Sequence, residues 1–178
     1  MLYDQTIPGY HQALTALSGE LDKALDWAKE QGRTESDLLA ARLAPDMASF
    51  ATQIRFTCIQ AVQPAATLGG QTPPSFADDA VDVAGLQVQI AKAIAFIDDI
   101  DPTAFGNDTE RQVSLTLATG MVFDLPAAIY VRDWAHPQFY FHRVTAYAIL
   151  RHLGVPLGKA DYVAYMMQYL RPGTAPTA

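Results

Sequence analysis

A chain of 178 residues, half of them hydrophobic and 17% charged, can bury its own core and is too apolar to stay disordered. Nineteen acidic residues against twelve basic ones leave a net charge of −7, and the basic residues are scattered, so binding to nucleic-acid backbones is excluded. A single cysteine, Cys58, excludes an intramolecular disulfide framework and any multi-cysteine metal site. The apolar runs are interrupted by charges such as Arg143 and Arg151, so no membrane span is expected. Met1 to Tyr10 lack the basic start and apolar run of a secretion signal. The expectation is a cytoplasmic protein with residues 1–178 forming one domain.

A first long helix is predicted from about Pro8 to Glu30. Tyr10, Leu14, Leu17, Leu21, Ala24 or Leu25, and Ala28 recur at three- and four-residue steps on one face. Gln12, Glu20, Asp22, Lys23 and Lys29 lie between them and suit water. Thr34 and Asp37 have the spacing of a capping pair opening a short helix through Leu43. Pro45 then suits the first position of a second long helix, with Asp46 complementing its positive end. Met47, Phe50, Ile54, Cys58 and Ala61 form its stripe, and Pro64 with Gly69 and Gly70 closes it. On that stripe Cys58 reads as a buried, inert thiol.

Pro73 and Pro74 mark a loop, after which Val83, Leu86, Ile90 and Ile97 give a third long helix from about Ala80 to Ile97. Residues 98–109 are turn-rich. Between 111 and 124, Val113, Leu115 and Leu117 alternate with Ser114 and Thr116 before Thr119-Gly120, which is the pattern of a β-hairpin. Pro126 suits the start of a short helix to Trp134, and Pro137 the start of a fourth long helix ending at Gly154. A further helix is predicted over Ala160 to Leu170, with fraying after Arg171-Pro172-Gly173. Four long amphipathic helices bury their stripes together most simply as a bundle.

The stretch Phe139-Tyr140-Phe141-His142-Arg143-Val144-Thr145-Ala146-Tyr147 through Val155, with Tyr3-Asp4 and Arg42-Leu43-Ala44-Pro45-Asp46-Met47, resembles the DinB/YfiT-like superfamily. The branch it resembles is a family described only as a domain of unknown function. The resemblance implies an all-α, up-down-down-up four-helix bundle, here with a small hairpin before the last long helix. Metal-binding members of the superfamily carry one histidine on the second helix and two, four residues apart, on the fourth. Three nitrogen ligands and an open position suit a catalytic divalent metal. In this chain His142 matches one ligand, but Gln138 and Ala146 stand four residues to either side. The second helix offers Gln53, a neutral amide and a poor transition-metal ligand. No cofactor is therefore expected, and a Zn or Ni centre could draw on His142 alone.

His142 and Asp46 are the catalytic candidates, because an imidazole oriented by a carboxylate can move protons near neutral pH. The competing reading makes His142 a buried, hydrogen-bonded histidine. Tyr140, Tyr147, Trp134 and Gln53 are candidate ligand contacts, with ordinary core packing as the alternative. His136 reads as a loop or helix-entry residue, His11 as surface, His152 as a helix C-terminus, and Arg42 as a carboxylate-paired lock on the interhelix turn. The carboxylates at 78–79 and 98–99 read as solvated caps. Three functions compete: a homodimeric, non-catalytic or small-ligand-binding bundle with a degenerate metal site; a metal-dependent transferase or hydrolase remodelled around His142; and a scaffold for a partner protein.

Overall fold

Leu2, Thr6 and Ile7 are buried, and they start the first helix well before the predicted Pro8. The computed structural model describes residues 1–174. In it α1 runs over Leu2–Glu30, with Pro8 inside the helix and exposed. A mid-helix proline removes one hydrogen bond and costs about 3 kcal/mol. The buried Leu2 and Ile7 side chains offset that, and the Thr6 hydroxyl donates to the Leu2 carbonyl at 2.8 Å.

The Thr34–Asp37 capping box forms as expected, but the helix it opens, α2, is only Glu35–Ala40. The Pro45 start predicted for the next helix is not observed. Residues 44–47 form a turn, closed by the Met47 N–H on the Ala44 carbonyl at 3.0 Å. Arg42 locks this turn through the Met47 carbonyl, not through a carboxylate. Ser49 caps the helix instead, and α3 spans Phe50–Gly69. It passes through Pro64, whose buried ring packs rather than ending the helix, and stops at Gly70, where φ is +68°. Asp82 caps α4, Val83–Asp98, three residues later than Ala80.

The hairpin is β1, Gln112–Thr116, antiparallel to β2, Val122–Pro126, with Val113 opposite Leu125. Pro126 thus ends a strand and precedes the first helical turn, α5, Ala127–Ile129. Val113 is buried, and Arg111 ties the hairpin to the end of α3 by donating to the Leu68 carbonyl at 2.6 Å. A widened π turn, Tyr130–Ala135, leads into α6, His136–Leu153, which Gly154 closes at φ +100°. The predicted tail helix breaks in two: α7, Lys159–Tyr162, and a 3-10 turn, Ala164–Tyr169. The expected fraying at 175–178 lies outside the described residues.

Contacts fix the helix directions. Gly69, ending α3, lies against Ile100 beyond the end of α4, while Gln89 in the first half of α4 donates to the Ala77 carbonyl, whose neighbour Asp78 binds Arg55 early in α3. These two helices therefore run parallel. His11 of α1 meets Asp98 at the far end of α4, so that pair is antiparallel. Tyr10 meets His136, and Trp27 lies against Gly154, so α1 and α6 are parallel. The result is the up-down-down-up bundle, with Leu14, Leu17, Ile54, Cys58, Leu86, Ile90, Phe139 and Ile149 at its centre. Cys58 is fully buried, and burial pushes its thiol up to about 12, so it is inert.

No helix of the described residues is long and apolar enough to cross a membrane.

Candidate ligand cavity and the polar groups around it

Glu20 interrupts the apolar stripe of α1, between Leu17 and Leu21, and Arg143 interrupts that of α6, between Phe139 and Ala146. The expectation that Glu20 faces water is wrong. Both side chains are fully buried, and they form a two-pronged ion pair at 2.8 and 2.9 Å. The parallel packing of α1 on α6 brings them level. Arg143 Nε also donates to the Ala13 carbonyl at 3.2 Å, and the Tyr162 ring covers the guanidinium at 4.2 Å. Burial pushes the Glu20 carboxyl up while Arg143 holds it down, and the burial effect is the larger.

Above this pair lies a cavity of about 540 Å³, within the range of small-molecule sites. One wall is α1, with His11, Gln12, Thr15, Gly19 and Glu20; the other is the C-terminal segment, with Asp161, Ala164, Tyr165 and Gln168. Asp161 accepts from the Gly158 N–H at 2.6 Å and pairs with Lys23, which holds the segment across α1. Gly19 stands in the middle of the 29-residue α1, and a Cβ there would meet nothing within 4 Å. Glycine in a helix interior costs about 1 kcal/mol relative to alanine. No neighbour demands the missing side chain here, and the glycine leaves this part of the cavity wall bare.

A second polar site lies where α3 meets α6. His142 Nδ1 is 2.8 Å from Gln53 Oε1, and Gln53 Nε2 donates to the Ala48 carbonyl at 3.4 Å. That orientation makes His142 Nδ1 the donor and leaves the lone pair on Nε2. Phe56 and Phe141 flank the imidazole, and burial lowers its pKa, so it is neutral at pH 7. Asp46 is exposed in the turn before α3, so the imidazole finds its partner in Gln53 and not in the predicted carboxylate. A third site is the Tyr10 hydroxyl on His136 Nδ1 at 3.1 Å. Burial raises the phenol and lowers the imidazole, so Tyr10 donates and His136 carries its proton on Nε2.

Both histidines set a pH dependence. A folded-state pKa below the ordinary 6.5 gives stability that is present above that value and lost as pH falls through the depressed one. The expected result is a melting temperature flat from about pH 7 to 8 and falling toward about pH 5. The slope near pH 6 should flatten in a His136→Gln, His142→Gln double variant; an unchanged slope would rule the histidines out as its source.

The remaining candidates lie apart from the cavity. Tyr147 packs edge-on against Tyr162 at 5.6 Å, Tyr140 against Phe139 at 5.1 Å, and Trp134 is half-buried on the core. Of the carboxylates read as free caps, Asp78 pairs with Arg55 at 3.1 Å and Asp98 approaches His11 at 3.5 Å. Nowhere among the described residues do three His, Cys, Asp or Glu side chains converge as metal ligands. With Gln53 on one side of His142 and the fully buried Ala146 one turn on, these residues do not fit a three-nitrogen centre.

The sequence model of a family described as a domain of unknown function (DUF1993) matches residues 2–163. The chain belongs to the DUF1993 family. A crystal structure of a DinB family member protein from Shewanella denitrificans is 31% identical to this DUF1993 chain. The match covers 99% of this chain and 96% of that one, with a TM-score of 0.85. No curated protein matches the chain. The DinB-like bundle of an uncharacterised branch, implied by the resemblance in α6 and around residues 42–47, is therefore the fold and family of this protein.

The ion pair and the cavity were missed at the level of sequence, yet both left a signal. Two opposite charges, each set into the apolar stripe of a different helix, are placed to meet. A glycine inside a long helix, with no turn to make, marks a space.

Proposed function

We propose that this DUF1993 protein is a small-ligand-binding bundle whose ligand sits between α1 and the C-terminal segment. The observation that carries this is the cavity of about 540 Å³ bordered by Gly19 over the buried Glu20–Arg143 pair. Its walls combine apolar surface with a few polar groups, the composition of a binding pocket. The reading calls for no bound metal, and the Gln53–His142 contact is what remains of the superfamily's ligand set.

The test is a thermal-shift screen of a small-molecule library on the wild type and on Gly19→Leu. Leucine would project into the cavity and relieve the helix of its glycine, raising stability by up to about 1 kcal/mol. Compounds that stabilise the wild type should lose their effect in the variant. Hits that act equally on both would place binding elsewhere.

A second reading rests on His142, whose Nε2 lone pair and Gln53-anchored Nδ1 suit a general base. It predicts ligands whose effect survives Gly19→Leu and disappears in His142→Ala.

We also propose a homodimer through the outer face of α6, where Tyr140, Phe141 and Val144 are exposed and apolar on one stripe. Light scattering on the eluting protein should give twice the chain mass, and Phe141→Glu should halve it. A monomeric wild type would end this proposal without touching the cavity.

A further inference from the structure

The charges around the cavity are already matched. Glu20 is spent on Arg143 behind it, and the more exposed Lys23 on Asp161, so these charges of the lining already have partners. His11 reaches toward Asp98 outside. A ligand carrying a net charge would have to break one of these pairs to gain a counter-charge, after giving up part of its hydration on entering.

The other polar side chains of the lining are neutral, apart from His11. The Gln168 amide donates to the Tyr165 carbonyl at 2.9 Å, and the Thr15 hydroxyl to the His11 carbonyl at 2.9 Å. The Gln12 side chain and the Tyr165 hydroxyl make no hydrogen bond to the described residues, and both line the cavity. A glutamine side chain offers a donor and an acceptor side by side, the complement of another amide. Ala16, Gly19, Ala164 and the Tyr165 ring supply the apolar surface around it.

Resting on the cavity reading above, we infer that the site takes an uncharged, ring-bearing small molecule with an amide or lactam edge. The amide pairs with Gln12, and the ring lies between the small residues of α1 and Tyr165. Lys23–Asp161 acts as the clasp of the C-terminal segment and is not a ligand contact.

The experiment uses the full chain, labelled with nitrogen-15, and three probes of one shape: benzamide, benzoate and benzylamine. Benzamide should shift the backbone amides of Thr15, Gly19 and Tyr165 and bind at least about tenfold more tightly than either charged probe. Gln12→Leu should weaken benzamide by about tenfold, the order of one net hydrogen bond, while leaving the wild-type spectrum otherwise in place. Gly19→Leu should abolish its effect. Equal or tighter binding of benzoate or benzylamine at the same amides overturns the ligand class and leaves the cavity reading standing. Absence of any benzamide shift at saturating concentration also overturns the class. The cavity reading then depends on the library screen with Gly19→Leu, which makes no assumption about charge.

Discussion

Glu20→Ala is expected to destabilise the fold by about 3–5 kcal/mol, read from the midpoint of urea unfolding. The variant removes both acceptors from a guanidinium that has no exposure. Only the Ala13 carbonyl and the face of Tyr162 remain to it, and neither carries a negative charge. Against the 5–15 kcal/mol typical of a domain, that loss brings the chain to the edge of unfolding. Arg143→Ala should cost a similar amount, because it strands the carboxylate. The pair itself is a different matter. Burying two charges costs nearly what their attraction returns, so Glu20→Leu with Arg143→Met should be neutral or stabilising. If each single variant costs under about 1 kcal/mol, the pair is not sealed from water as described.

Phe139→Ala should cost about 3–5 kcal/mol by the same measurement. The ring is fully buried, lies 4.3 Å from Tyr10 and meets Tyr140 edge-on. It stands on the first full turn of α6, just after the π turn, where α6 is set against α1. Removing it leaves a hole beside the Tyr10–His136 hydrogen bond, and Tyr10 is too large to move into it. Phe139→Leu retains most of the volume and should recover most of the loss. A cost below about 1 kcal/mol for Phe139→Ala would mean that the α1–α6 seam can close over the gap.

The bundle was legible because its apolar positions repeat at helical spacing, and because α6 resembles a known branch over an unbroken stretch. The hairpin was legible from alternation, and it forms within two residues of its predicted limits. Prolines misled at Pro8, Pro45 and Pro64, where tertiary packing overrides local propensity. Pro8 and Pro64 sit inside helices because the residues around them pack, and Pro45 lies in a turn because Ser49 takes the cap of α3.

The sites were less legible. His142 and Gln53 were both candidates and do meet, because α6 packs along α3. Asp46 was assigned to the first turn of α3, but Ser49 takes the cap and leaves Asp46 in the preceding turn. Glu20 and Arg143 stand 123 positions apart, and only the parallel packing of α1 on α6 brings them together. The cavity depends on the C-terminal segment folding back over α1, and no periodicity in residues 159–169 announces that.

The most direct measurement of the cavity reading is a crystal structure of the protein soaked with a compound that stabilises it. The predicted result is density between Thr15 and Tyr165, over the Glu20–Arg143 pair, with the Lys23–Asp161 contact in place. Density beside His142 and Gln53, with the space at Gly19 holding only water, would contradict it.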